Sequence, residues 1–264
     1  MPNLTPWQQR IRRAEQLTAQ YAYAKEVLSF YAHLARFQRE FQERLERAGI
    51  VGAQSASSAL LTTDIVSSFP QFLAVVEANG PERVALVAHD LRTASGENWT
   101  ELLNSVWQEV FEPLSAPEQF LAFAFLQPYA ELLRLRSGLK PEHYTHAVCP
   151  FCSRKPGLGI LRPLGDGAQR KMFCGFCLAE WDFRRIVCPG CGEENHAKLP
   201  VYTAESIPYI RVECCDSCQT YIKSIDMAKN GLADPLVDEL ASLPLDLWAK
   251  ERGYAKLRPN LLGM

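Results

Sequence analysis

The first 148 residues of this 264-residue chain contain no cysteine, and none follows Cys218. No apolar run approaches the roughly 18 residues that a membrane-spanning helix needs. The start, Met1-Pro-Asn-Leu-Thr-Pro-Trp7, has no basic segment leading into an apolar one, so we expect no secretory signal, no membrane association and a cytoplasmic protein. No excess of charge of one sign is present: the formal net charge is −2, which argues against a general nucleic-acid binder. A glycine-rich phosphate loop, a nucleophile elbow and a convincing carboxylate pair are all missing, so no enzyme is expected. There is no low-complexity segment, and with 47% hydrophobic and 22% charged residues the composition is that of a globular protein.

What the chain does have is nine cysteines between Cys149 and Cys218. Eight form four C-x-x-C pairs: Cys149/Cys152, Cys174/Cys177, Cys188/Cys191 and Cys215/Cys218. A tight turn lets both sulfurs of a pair face one ion, and two such turns make a tetrahedral S4 site. The gaps choose the partners. The 21 residues between Cys152 and Cys174, and the 23 between Cys191 and Cys215, suit β-hairpins, whereas the ten between Cys177 and Cys188 suit a connecting strand. We therefore pair Cys149/Cys152 with Cys174/Cys177, and Cys188/Cys191 with Cys215/Cys218, as two tandem zinc-ribbon or rubredoxin-like modules with one ion each. Four thiolates suit zinc and iron alike. Disulfides would need an oxidising compartment, and an odd cysteine count does not close a framework. The ninth, Cys214, is an extra thiol beside the last pair. It either substitutes for Cys215 or stays free and buried.

Residues 1–142 read as an all-helical domain. Thr5-Pro6 opens a helix. A second, from about Gln20 to Ala48, carries the stripe Tyr23, Val27, Phe30, Leu34, Phe37, Phe41 and Leu45 and ends at Gly49. Gly52–Thr63 reads as a loop. Asp64–Val76 is helical and broken near Pro70. Asn79-Gly80-Pro81 separates it from Glu82–Leu91, on which His89 is a surface or core residue. Thr93–Asn98 is a turn before a helix over Trp99–Phe111. Ser115-Ala-Pro-Glu118 is a capping box opening Gln119–Arg136, apolar all round and interrupted by Pro128, which should lie at the centre of the bundle.

The period then changes to that of strands. The first ribbon, 143–187, holds Gly159–Leu164 and Gln169–Phe173 around the turn Gly165-Asp166-Gly167, then an alternating run Trp181, Phe183, Arg185, Val187. The second, 188–230, holds Leu199–Thr203, Ile207–Glu213 and Thr220–Ile225, with Gly192 at a knuckle turn. His143, His146 and His196 are near the knuckles but not needed as ligands. Residues 231–264 are a short tail, helical from Asp234 and again from Pro244, and irregular over Lys256–Asn260. The fold class is α+β.

Ribbons often bind nucleic acid. From Cys149 to Ile222, however, nine Lys/Arg face eight Asp/Glu, and two zinc tetrathiolates would turn that balance negative. Arg184-Arg185 is the best basic patch left, so a nucleic-acid adaptor is a secondary reading and a rubredoxin-like electron carrier a weaker one.

The segments Cys174-Gly-Phe-Cys-Leu-Ala-Glu-Trp181, Arg184-Arg-Ile-Val-Cys-Pro-Gly-Cys191 and Arg211-Val-Glu-Cys-Cys-Asp-Ser-Cys-Gln-Thr-Tyr-Ile-Lys223, followed by Ala233-Asp-Pro and Ala241-Ser-Leu-Pro-Leu-Asp246, resemble the formate dehydrogenase accessory proteins, the FdhE family. The resemblance covers nearly the whole chain. It implies a cytoplasmic, non-enzymatic factor that helps mature respiratory formate dehydrogenase and contacts its catalytic subunit before export. It implies iron at the eight cysteines named above, with zinc as the other candidate. Homo-oligomerisation is left open by the sequence.

Overall fold

The computed structural model describes residues 4–49, 62–94 and 96–263. The expected serine- and alanine-rich loop lies outside these residues at positions 52–61.

Helix α1 (Pro6–Gln20) starts as the sequence predicts, with Thr5 accepting from the Gln8 amide and the Gln8 side chain returning to the Thr5 amide. Helix α2 (Lys25–Arg47) begins later than expected, because Tyr21–Ala24 leaves the helix for a short 3-10 turn. Tyr23, predicted in the core stripe, is instead 51% exposed and stacks on Tyr21. From Phe30 onward the stripe is buried. Gly49, at φ 71°, ends the helix.

Helices α3 (Thr63–Val66) and α4 (Phe69–Asn79) are separate. The break precedes Pro70, which sits in the first turn of α4, where a missing N–H costs nothing. A Cβ on Gly80 would lie 2.7 Å from the Val76 carbonyl oxygen, so the turn into α5 (Glu82–Thr93) requires glycine. Helix α6 (Gly96–Trp107) starts and ends earlier than predicted. It stops where Glu109 takes a positive φ, which leaves Val110 exposed.

Helix α7 (Ala116–Arg136) begins at the Ser115/Glu118 capping box and is buried along most of its length. Its Phe125 ring lies 4.9 Å from both Phe41 and Phe69, tying three helices together. Pro128 cannot donate to the Ala124 carbonyl one turn back. The side chain of Gln38, on α2 and fully buried, donates to that oxygen instead at 2.6 Å.

The strands are β1 (Leu158–Leu164), β2 (Gly167–Phe173), β3 (Glu180–Asp182), β4 (Val201–Ala204), β5 (Ile207–Cys215), β6 (Thr220–Asp226) and β7 (Ala255–Lys256). The predicted strand through Val187 stops at Asp182. Arg170 explains the stop: its guanidinium donates to the Arg184 and Val187 carbonyls at 2.8 and 3.1 Å, in place of a neighbouring strand.

The ribbons share one seven-stranded sheet in the order β3-β2-β1-β6-β5-β4. They join where β1 runs parallel to β6, with Gly159 opposite Ser224. The other half of the same β6 edge pairs with β7, so Lys256, expected to be irregular, ends a short strand, while residues 257–260 are irregular as expected.

Helices α8 (Pro235–Ala241) and α9 (Leu243–Glu251) lie between β6 and β7. Asp234 caps α8 through the amides of Leu236 and Val237. Two buried charge networks fasten this end. Arg13 of α1 makes paired bonds to Asp238 of α8 at 2.6 and 2.9 Å, with Tyr209 of β5 also on that carboxylate. Lys223 of β6, fully buried, reaches Asp246 at 2.6 Å and Glu239 at 2.9 Å, and Lys256 reaches Glu239 at 2.5 Å.

One apolar core runs from the helices into the first ribbon and includes Phe151, Phe176 and Trp181. A second lies between the sheet and α8–α9 and includes Ile160, Ile210, Ile225 and Leu236. Among the described residues no helix is long and apolar enough to cross a membrane.

Candidate metal centres

Each C-x-x-C pair folds into the same knuckle. The residue after the second cysteine donates its amide to the carbonyl of the first: Ser153 to Cys149 at 2.9 Å, Leu178 to Cys174 at 3.1 Å, Gly192 to Cys188 at 3.0 Å and Gln219 to Cys215 at 2.9 Å. All four of these residues have positive φ, between 54° and 81°. Only Gly192 advertises that conformation in the sequence. Ser153, Leu178 and Gln219 accept a strained backbone to close the turn.

The knuckles come together in two groups, Cys149/Cys152/Cys174/Cys177 and Cys188/Cys191/Cys215/Cys218, with the sulfurs of each group within 4.8 Å of one another. These are the partners that the gap lengths predict. In the first group Cys149–Cys177 and Cys152–Cys174 are 3.4 Å apart. In the second, Cys188–Cys218 and Cys191–Cys215 are 3.7 Å apart. A disulfide would place sulfurs about 2 Å apart, whereas a tetrahedron with Zn–S bonds of about 2.3 Å has sulfur–sulfur edges of roughly 3.8 Å. The donor set therefore fits a tetrahedral zinc or iron ion in each group.

The surroundings differ sharply. The first group is set into the helical domain. Gln127 donates to the Gly175 carbonyl at 2.7 Å and Arg134 to the Cys177 carbonyl at 3.2 Å. Phe176, between the cysteines of the second knuckle, packs on Trp107 at 5.4 Å and Phe123 at 4.9 Å. The guanidinium of Arg154 lies 3.8 Å from the Phe176 ring and donates to the Val106 and Trp107 carbonyls. None of these partners is signalled by the cysteine spacing. Three of the four cysteines are buried and Cys152 is half-buried.

The second group lies nearer water: Cys191 is exposed and Cys218 half-buried. Its sulfurs take hydrogen bonds from its own module, and its second knuckle is also held by the tail, where the Ala255 amide donates to the Gln219 carbonyl at 2.8 Å. The Gly190 amide donates to the Cys188 sulfur at 3.3 Å, and the Thr220 hydroxyl is 3.0 Å from the Cys218 sulfur. A cavity of about 450 Å³ opens beside it, with Cys188, Cys215, Ile186 and His196 among its walls.

Within each cluster the thiols shift one another's acidity. Burial alone would raise the Cys174 thiol, but donors from Cys149, Cys152 and Cys177 outweigh it and hold Cys174 well below its ordinary value. In the second group burial likewise raises Cys218, and the Thr220 hydroxyl with the neighbouring thiols brings it down to about 7. One thiolate is thus favoured in each cluster, and its neighbours Cys149 and Cys177, and Cys191 and Cys215, are pushed up in turn.

Cys214 is buried and belongs to neither group. Burial, with the charges of Asp216 and Glu213, pushes its thiol up to about 12, so it remains a neutral, inert thiol. No histidine joins a cluster among the described residues. The His146 carbonyl accepts from the Trp181 indole at 2.9 Å, His196 is exposed on a short 3-10 turn, and His89 sits on the surface against Glu77.

The architecture is that of a helical domain joined to two tetracysteine ribbon modules, with two groups that can each hold a metal ion. Residues 186–262 match the family model described as FdhE, C-terminal domain. A protein named Protein FdhE homolog from Aquifex aeolicus is 33% identical over 146 residues, 55% of this chain and 52% of the relative. A Pseudomonas aeruginosa protein of the same name is 36% identical over 136 residues, 50% of this chain and 44% of the relative. The chain thus spans about half the length of these curated relatives. The crystal structure of the FdhE protein from Pseudomonas aeruginosa superposes with a TM-score of 0.71 at 25% identity, covering 97% of this chain and 95% of that one. By its C-terminal domain and its fold the chain is similar to the FdhE proteins.

Proposed function

We propose that this protein is an accessory factor in the maturation of respiratory formate dehydrogenase. In this reading it works in the cytoplasm without catalysing a reaction, and it docks on the immature catalytic subunit. The observation that carries the reading is the pair of tetracysteine centres, set in a fold shared over nearly the whole chain with an FdhE protein. Cys149, Cys152, Cys174 and Cys177 hold one ion, and Cys188, Cys191, Cys215 and Cys218 the other. The ion is iron by family resemblance, and zinc has the same geometric fit. Bound metal would supply the crosslink that ties two knuckles together, so that binding energy is also folding energy. The chain's own residues shape the surface around it.

An anaerobic pull-down with the tagged protein tests the docking. Recovery of the dehydrogenase catalytic subunit from cells making the enzyme is the expected result. Its consistent absence, with the subunit present in the lysate, overturns the reading. Elemental analysis of protein purified without oxygen should find about two equivalents of metal, and thiolate-to-iron absorption bands would identify iron.

A further inference from the structure

We propose that the two centres divide labour. The first is a permanent structural crosslink, and the second is a ligand-exchange site at which Cys191 gives way to an incoming soft donor, such as a thiolate or a chelating amine. This deepens the metal reading above and rests on it.

Three observations separate the centres. The first is access. Cys191 is exposed and Cys218 half-buried, whereas in the first centre only Cys152 reaches partway to the surface. The second is anchoring. Gln127 and Arg134 of α7 bond the carbonyls of Gly175 and Cys177, and Phe176 is locked between Trp107, Phe123 and Arg154. Opening the first centre therefore requires opening the larger apolar core. The knuckle bearing Cys191 is held only at its start, where Arg170 donates to the Val187 carbonyl, and among the described residues no side chain of the helical domain bonds it. Past Gly192 it continues as the exposed Glu194–Lys198 turn, held by hydrogen bonds between Glu193 and Ser217 and between Arg184 and Glu194 at the surface. The third is room. The cavity that Cys188 and Cys215 help to wall lies against the second centre, so a ligand can stand beside it without displacing the core.

The exchange balances simply. A donor atom of the incoming ligand bonds the ion as the bond to the Cys191 sulfur breaks, and Cys191 takes a solvent proton. The remaining thiolates follow in turn, and no electron changes hands. Cys191 is the first to leave because it alone among the eight is exposed.

The full-length protein, loaded with zinc as a probe metal, is mixed with excess chelator and a chromophoric zinc indicator. Samples are pulsed with a thiol-alkylating reagent and mapped by mass spectrometry. The expected result is two phases of one equivalent each, the first at least ~10-fold faster, on the scale by which outer-shell partners alter metal affinity. Cys188, Cys191, Cys215 and Cys218 should be alkylated in the fast phase and the other four ligands only in the slow one. Arg134→Ala should speed the slow phase and leave the fast phase unchanged. A single phase releasing two equivalents, or early alkylation of Cys149 and Cys174, overturns the division of labour while leaving metal binding intact. Failure to take up any zinc overturns both readings.

Discussion

The contact between Gln38 and the Ala124 carbonyl gives a sharp test of how the helical domain tolerates Pro128. The carbonyl loses its normal helical donor because residue 128 is proline, and the fully buried Gln38 supplies the replacement at 2.6 Å. Gln38→Met keeps the volume and removes the donor. Leaving a buried carbonyl unpaired costs about 1–3 kcal/mol. Part of this is offset because the Gln38 Oε1 atom is itself buried without a partner among the described residues, so the net loss should be about 1–2 kcal/mol. At this chain length that lowers Tm by about 2–4 °C per kcal/mol. The decisive measurement is a double-mutant cycle with Pro128→Ala, followed by urea unfolding. An alanine in place of the proline restores the N–H to the Ala124 carbonyl, so that part of the Gln38→Met penalty should vanish in that background, giving a coupling energy of about 1 kcal/mol. The lost bond from Gln38 to Gln127 appears on both arms and cancels. Effects of ring strain and unfolded-chain entropy at residue 128 appear on both arms and cancel. Additivity within ~0.5 kcal/mol would refute the reasoning and reduce Gln38 to a packing residue.

Asp238→Asn should destabilise the protein by roughly 3–5 kcal/mol, because it leaves the buried Arg13 guanidinium without its counter-charge; chemical denaturation measures this, and a loss under about 1 kcal/mol would show that the pair is dispensable. Burial alone would raise Glu239, but Lys223 and Lys256 outweigh it and hold the carboxyl at about 2, below its ordinary 4.5. Its folded value lies below the unfolded one, so it contributes on the order of 3 kcal/mol above pH ~4.5, lost as the pH falls toward about 2. The fall in Tm with acid should therefore be shallower in Glu239→Gln, and identical slopes would contradict this. Gly159→Ala places a Cβ 2.2 Å from the Ser224 hydroxyl oxygen across the β1–β6 join, and overpacking of this kind costs about 1–3 kcal/mol. Adding Ser224→Ala should recover most of it, since among the described residues that hydroxyl has no hydrogen-bond partner to lose.

The helices and the cysteine groups were readable because their signals are local. Thr5 and Ser115 announce helix starts within about four residues, and a C-x-x-C spacing announces a knuckle. Errors arose where a distant group overrode a local pattern. The alternation through Phe183 and Val187 is real, yet Arg170 occupies the carbonyls that a strand would offer. Tyr23 keeps the helical period of its stripe but falls in the turn between α1 and α2. The joining of the two ribbons had only one trace in the sequence, the isolated Gly159 in a strand, which marks a close approach without naming what approaches. Its partner Ser224 is more than sixty residues away, and a parallel pairing across that distance leaves no turn to read.

The same distinction explains why the two centres look alike in sequence and differ in the fold. Their spacings are near repeats, and each knuckle closes by the same hydrogen bond from a residue of positive φ. Nothing within either cysteine segment says which ion is held more firmly. That difference comes from α7, where Gln127 and Arg134 bind the backbone of the first centre. Gln127 also accepts from Gln38 at 3.2 Å, so the residue that repairs the helix at Pro128 belongs to the same chain of contacts that braces the first centre. The helical domain is therefore part of that centre's construction, and the second centre, which lacks such bracing, is free to be the exchangeable one.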